Sequence, residues 1–202
     1  MTKQIQLLIA SNNQHKIKEF KSMLSTLAIT VISPGEIGGI TEVEETGSTF
    51  EENARLKAVT IAERKKLYVF ADDSGLEVEA LNWRPGIRSA RYAGPCASDL
   101  DRINKLLTEL DSATNRKARF VCVIAISDPK GNAKTFRGEV YGQITHDPRG
   151  ILNFGYDPIF QPDGYDKTFA ELQPEVKNCI SHRANAMKKA LLELNNILHC
   201  VE

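Results

Sequence analysis

The sequence predicts an α/β fold, a mixed central β-sheet flanked by helices, built as one domain over residues 1–202 with two lobes and a cleft between them for the site. Three observations carry this expectation. Apolar runs of strand length alternate with segments of helical spacing in the first part of the chain. Two later runs rich in β-branched and aromatic residues flank strong turn chemistry, and the chain closes on a long amphipathic stripe. No internal repeat or low-complexity linker separates these parts.

Taken in order, Ile5-Gln6-Leu7-Leu8-Ile9-Ala10 reads as a buried strand. Polar Ser11-Asn12-Asn13 then leads into Ile17, Phe20, Leu24 and Leu27 at helical spacing, giving strand, turn and helix. A second helix is predicted over 49–65: Thr49-x-x-Glu52 has the form of a capping box, and Phe50, Ala54, Ala58, Ile61 and Ala62 make its apolar stripe. Leu67-Tyr68-Val69-Phe70 is the next strand, and the Ser-Gly after Ala71-Asp72-Asp73 places its end at the aspartate pair. Segment 83–92 is irregular. Ser98 caps a third helix that turns Leu100, Ile103, Leu106, Leu107 and Leu110 inward. Residues 119–127 and 134–141 form a hairpin around Asp128-Pro129-Lys130-Gly131-Asn132. After a Gly-, Pro- and Tyr-rich stretch over 147–165, a last helix opens at Ser181 with Ala184, Met187, Leu191, Leu194 and Leu198 on one face.

Composition narrows the function classes. Lys plus Arg and Asp plus Glu balance at 26 each, so no overall basic field exists, and polymeric nucleic acid is not expected as a partner. The N-terminus lacks the pattern of a secretory signal and no run approaches bilayer-spanning length, which predicts a cytoplasmic protein with no membrane partner. Cys96, Cys122, Cys179 and Cys200 are scattered without a Cys-x-x-Cys pair, against both a zinc site and a redox motif. Cys122 reads as a core residue.

Asp72 and Asp73 carry the first chemical signal. Neighbouring carboxylates repel and are expensive to desolvate, so a divalent cation is the natural compensation, and hard oxygen ligands suit Mg²⁺. Side by side on a strand they would diverge to opposite faces, so both serve one site only if the strand ends there. The same residues are also an ordinary turn composition. Four further segments favour an anion. Ser11-Asn12-Asn13-Gln14-His15-Lys16 precedes a helix, whose free N–H groups and macrodipole attract phosphate; a plain Asn cap with His15 and Lys16 in water is the bland alternative. Lys57 falls within the apolar stripe of its helix and Asn53 shares that face, so its ammonium either snorkels to solvent or enters a charged cleft, with Glu44 and Glu45 just upstream. Ser181-His182-Arg183 sets an arginine in a helix first turn, where the dipole disfavours a cation, and Lys177 lies four residues before Ser181. Phe154-Gly155-Tyr156-Asp157-Pro158-Ile159-Phe160 is either a stacking platform with an acceptor carboxylate or a loop packed on the core. There is no G-x-x-x-x-G-K-[ST] and no G-x-G-x-x-G.

Taken together, these blocks resemble the inosine triphosphate pyrophosphatase family: Ser11-Asn12-Asn13-x-x-Lys16, Glu44-Glu45-Thr46-Gly47, Asn53-Ala54-x-x-Lys57, Ala71-Asp72-Asp73-Ser74-Gly75-Leu76, Pro85-Gly86-Ile87-x-Ser89-Ala90-Arg91-Tyr92-Ala93-Gly94, Phe154-Gly155-Tyr156-Asp157-Pro158-Ile159-Phe160 and Ser181-His182-Arg183-x-x-Ala186. The resemblance runs in order through nearly the whole chain. It implies Mg²⁺-dependent hydrolysis of ITP, dITP and XTP to the monophosphate and pyrophosphate, by a homodimer of two-lobed subunits that clasp the nucleotide. By position, it implies that Ser11, Asn12, Asn13, Gln14, His15, Lys16 and Lys57 hold the triphosphate, and that Glu45 and Asp73, helped by Asp72, hold the metal or activate water. It places Ser74, Phe154, Gly155, Tyr156, Asp157, Lys177, His182 and Arg183 along the nucleotide pocket, and assigns catalysis to Asp73, Asp72, Lys16 and Lys57. Members of the family often carry Gly where this chain has Asn12, a residue that tolerates left-handed backbone nearly as well.

Other classes match parts of the pattern. The aspartate pair alone fits a glycosidase, which would leave the phosphate-seeking lysines without a task. A pyrophosphatase for modified pyrimidine nucleotides, of the septum-inhibitor type, would share the cradle but not the Phe-Gly-Tyr-Asp and Ser-His-Arg blocks. A non-catalytic nucleotide sensor would have no need of the clustered carboxylates.

Overall fold

The strand that enters the aspartate pair does not stop there. In the computed structural model, which describes residues 5–25, 27–151 and 154–199, the strand spans Tyr68–Val78 and carries Asp72, Asp73, Ser74 and Gly75 in its interior. The expectation that it ends at Ser74-Gly75 is thereby corrected. Leu76 and Val78 are fully buried, and their burial holds the chain extended past the polar residues.

Among the described residues, five α-helices and six strands follow one another as β1 Gln6–Ile9, α1 Gln14–Leu24, β2 Thr30–Ile32, α2 Phe50–Lys65, β3 Tyr68–Val78, α3 Asp99–Glu109, β4 Lys117–Ser127, β5 Ala133–Ile144, β6 Phe160–Pro162, α4 Pro174–Ile180 and α5 His182–His199. The strands form a sheet in the order β2-β1-β3-β4-β5-β6. β1 lies parallel to β2 and to β3, and β5 lies antiparallel to β6, so the sheet is mixed and the α/β expectation is borne out. β2, β6 and α4 were not expected from the sequence. The strands are too short for a period to show, and α4 is announced only by Gln173-Pro174 at its start.

The chain divides into two compact units. The first comprises the described residues of Met1–Asp73, Cys122–Gly138 and Ala184–Glu202. Its core joins Leu7 and Ile9 of β1, Ile17, Phe20 and Leu24 of α1, Phe70 of β3, Cys122 and Ile124 of β4, and Met187, Ala190 and Leu194 of α5. Phe20 and Phe70 meet edge to face, with ring centroids 4.7 Å apart. The second unit comprises Ser74–Val121 and Glu139–Arg183. Its own core gathers Leu76, Val78, Ile103, Leu106, Phe120, Tyr156, Ile159, Phe160 and Phe169. The unit boundary falls between Asp73 and Ser74, inside β3.

Local chemistry follows the sequence with two adjustments. The Thr49 side chain accepts from the Glu52 N–H as a cap should, but the Glu52 carboxylate reaches back chiefly to the N–H and hydroxyl of Ser48, one residue before the cap. Ile103 and Leu106 of α3 and Leu110 at its C-terminal cap are buried as expected, whereas Leu100 in the first turn is 45% exposed. Leu198, assigned to the stripe of α5, has a side chain outside the described residues. Among the described residues, no helix is long and apolar enough to cross a membrane.

Ser98 and Asp101 form a complete capping box at α3, each side chain accepting from the other's N–H at 3.2 and 2.8 Å. Ser98→Ala is expected to cost about 1 kcal/mol. For a chain of this size that is a fall of about 2–4 °C in Tm, readable by calorimetry.

Candidate active site

In the first unit, β1 delivers the chain to a polar turn. The Asn13 N–H donates to Ser11 Oγ at 3.2 Å, and the Asn13 side-chain oxygen accepts from the Lys16 N–H at 3.2 Å, so Asn13 caps α1. Asn12 and Gln14 are exposed beside it, and the side chain of His15 lies outside the described residues. The non-glycine residues with positive φ among those described are Lys66, Asn82 and Trp83. Asn12 therefore needs no left-handed tolerance, contrary to expectation. Lys16 is not solvated: its ammonium lies 2.8 Å from Asp72 Oδ2.

Strand alternation sorts the two aspartates between different partners. Asp72 takes Lys16 of α1, while Asp73 faces α2, where the Asn53 amide donates to it at 3.1 Å and Lys57 Nζ stands 3.6 Å away. Lys57 also bonds Glu45 at 3.0 Å, with only 15% of its side chain exposed, so its ammonium enters a group of carboxylates and does not snorkel to solvent. Three carboxylates, those of Glu45, Asp72 and Asp73, thus share two ammonium groups.

The electrostatics reflect that imbalance. Burial pushes the Asp73 carboxyl above its ordinary value, and the repulsion of Glu45 and Asp72 adds to this against the pull of Lys57 and the Asn53 hydrogen bond. Burial by itself favours neutral Lys57, but the carboxylates of Asp73, Asp72 and Glu45 outweigh it and raise the lysine above its ordinary value. The pair is unequal: the lysine is firmly charged while the aspartate resists ionisation. Among the described residues, no group of three or more His, Cys, Asp or Glu side chains is arranged to hold a metal ion.

In the second unit, Asp157 is 4% exposed and forms an ion pair with Lys177 of α4. The Lys177 ammonium lies 5.7 Å from the Phe154 ring centroid, and the Arg183 guanidinium lies 5.0 Å from the same ring. Arg183 is 4% exposed, so it does not extend into water from the first turn of α5. The His182 ring stacks on Phe120 at 4.8 Å and an interplanar angle of 12°. Tyr156 is buried and its hydroxyl donates to the Ser89 carbonyl at 3.0 Å, while the Gly155 N–H donates to Asp99 at 2.8 Å. Ser74 is half-buried on β3.

Three residues that shape this region were given no role from the sequence. Phe120 looks like any inward strand residue. Asp99 looks like dipole compensation at the start of α3. Ser89 sits in the Pro85–Gly94 block, and its hydroxyl accepts from the Leu76 N–H at 2.9 Å, tying β3 to the segment that receives Tyr156.

Fold and site together define a class: a mixed-sheet α/β protein whose charged centre is assembled from the interior of one strand and two helices that supply its counter-charges. The chain belongs to the Ham1 family, whose model matches residues 7–193. It is 49% identical to the dITP/XTP pyrophosphatase of Bacillus licheniformis over 192 residues, 93% of this chain and 98% of that one. The solved Ham1 protein of Staphylococcus aureus superposes with a TM-score of 0.87 at 49% identity, over 95% of this chain and 98% of that one. A HAM1 protein from Coxiella burnetii gives 0.88 at 41% identity, over 95% and 99%. The resemblance drawn from the motifs is borne out.

Proposed function

We propose that the protein hydrolyses dITP, ITP and XTP to the monophosphate and pyrophosphate with Mg²⁺, acting as a cytoplasmic homodimer that clears deaminated purines from the nucleotide pool. The observation that carries this reading is the cluster in which Glu45, Lys16 and Lys57, all half-buried, gather round the buried Asp72 and Asp73, in a chain 49% identical to a relative named dITP/XTP pyrophosphatase. The homodimer rests on the family resemblance.

Attack at the α–β phosphoanhydride needs a water in line with that bond and positive charge on the departing pyrophosphate. Lys57 brings a full charge, since its neighbours hold it protonated above the ordinary lysine value. Lys16, on α1, adds a second. Asp73 takes a proton more readily than an exposed carboxylate does, as a base for water requires. The donor set suits a hard divalent cation: Glu45 and Asp73 offer carboxylate oxygens, and the cluster carries one more negative charge than positive. Mg²⁺ commonly takes one or two carboxylates and completes its shell with phosphates and water. A bound Mg²⁺ would neutralise phosphate charge as a Lewis acid.

The residues of the second unit are assigned to the base. Arg183 has only donors, and hypoxanthine and xanthine present a carbonyl where adenine presents an amino group. Against ATP those donors stay unpaired on desolvation, a penalty of about 1–3 kcal/mol per buried group, or about ten- to a hundredfold in selectivity. Arg183→Ala is therefore expected to lower kcat/KM for ITP about tenfold more than for ATP. Equal losses on both substrates would remove Arg183 from base reading.

The reading as a whole is tested by incubating the protein with Mg²⁺ and ITP, dITP, XTP, ATP or GTP in turn, and measuring pyrophosphate and orthophosphate separately. Pyrophosphate from the inosine and xanthosine nucleotides, with little from ATP, is the expected outcome. Orthophosphate alone, or equal turnover of ATP, would overturn it.

A further inference from the structure

Asn53 is the one fully buried polar residue of α2, and both ends of its amide are engaged. Its oxygen accepts from the Gly47 N–H at 2.8 Å, and its nitrogen donates to Asp73 Oδ2 at 3.1 Å. The orientation of the amide is fixed by chemistry, because a peptide N–H can only donate and an ionised carboxylate can only accept. Gly47 presses directly on this amide: a Cβ there would stand 2.6 Å from Asn53 Oδ1 and 2.7 Å from the Cβ of Glu52. One turn later on the same helix, Lys57 takes Glu45 from that loop and faces Asp73. A single helix face therefore grips both the segment that carries Glu45 and the strand that carries Asp73.

We infer that Asn53 is a positioning residue, and that with Gly47 it forms a clamp holding Glu45 and Asp73 in fixed relation so that they meet a divalent cation preorganised. The inference rests on the assignment of Glu45 and Asp73 to the cation made above. The amide is well suited to the task. It is uncharged, so it orients Asp73 without competing for the cation as a lysine would, and it satisfies a loop N–H in the same stroke. Gly47 is required for a separate reason, since any side chain pushes the loop off the amide.

Two variants test the clamp from its two ends. Asn53→Ala removes the amide, and Gly47→Ala keeps Asn53 and every carboxylate in the sequence while displacing the loop that carries Glu45. The first readout needs no turnover: amide hydrogen exchange in the free protein, where the Gly47 N–H is expected to exchange faster in Asn53→Ala while the interior of α2 stays protected. The second is the Mg²⁺ concentration giving half-maximal dITP hydrolysis, expected to rise about ten- to a hundredfold in both variants, with a smaller loss of kcat at saturating Mg²⁺. If Asn53→Ala does not fold, Gly47→Ala carries the test by itself. Unchanged exchange at Gly47 overturns the clamp, and so does a half-saturating Mg²⁺ within twofold of wild type in Gly47→Ala. Wild-type protein that releases no pyrophosphate sinks the functional reading instead, and the exchange measurement still decides whether the clamp exists.

Discussion

Asp73→Asn is expected to reduce dITP turnover by about a hundredfold or more, the scale of losing a general base or a metal ligand, while making the protein more stable. The second half follows from the direction of the Asp73 shift. Burial raises its carboxyl above the ordinary 3.8 of the unfolded chain. Between those two values the folded state binds the additional proton, so stability falls as pH rises through that window, and at neutral pH the ionised carboxylate is a net cost. An amide of nearly the same shape removes the cost and can still accept from Asn53. Melting curves in EDTA should therefore show a higher Tm for Asp73→Asn at pH 7, the difference shrinking as pH approaches 3.8. A variant that keeps more than half the wild-type rate at saturating Mg²⁺ would end the assignment, and a lowered Tm at pH 7 would refute the electrostatic account.

The second large effect has the opposite sign on stability. Lys57→Ala strips the shared counter-charge from Glu45 and Asp73, and breaking a largely buried pair leaves carboxylates uncompensated at about 3 kcal/mol, the low end for buried pairs. That corresponds to a fall of about 6–12 °C in Tm for a chain of this size. Turnover should drop about a hundredfold as well, because Lys57 supplies charge to the departing pyrophosphate. Lys57→Met keeps the aliphatic stem, so equal losses in the two variants would assign the effect to charge, and a near-normal Met variant would assign it to packing. The pH dependence is an additional check. The folded-state value of Lys57 is raised above 10.5, so its contribution is fully present below that pH and is lost as pH climbs through the raised value. The alkaline limb of the wild-type stability curve should flatten in Lys57→Met.

Lys57 shows what a single chain of letters reveals. Its place in the stripe of Phe50, Ala54 and Ile61 was visible as spacing, and spacing alone requires that it face inward. Asp72 and Asp73 show the limit. Aspartate is rare in strands, and two of them before Ser-Gly read locally as a turn. What keeps them extended is tertiary: lysines from α1 and α2 neutralise them, and Leu76 and Val78 bury the strand beyond. Neither lysine is near the pair in sequence. Arg183 fell between these cases. Its position at the start of α5 was legible as an anomaly of charge, but the Phe154 ring that receives it lies far upstream. The short strands β2 and β6 escaped because three residues carry no measurable alternation.

The placement of the aspartates within β3 also sets a rule for how this protein can vary in length. A loop absorbs an added residue by bulging, and its functional groups drift by a small amount. A strand cannot, because its side chains alternate and a one-residue shift sends each to the other face. One residue inserted between Phe70 and Asp72 would turn Asp72 toward the lysine of α2 and Asp73 toward that of α1. Two inserted residues would restore the faces but carry both carboxylates about 6.6 Å along the strand, beyond the reach of either ammonium. Descendants of this chain are free to lengthen their surface turns, whereas the interval from Phe70 to Asp73 has a single workable length.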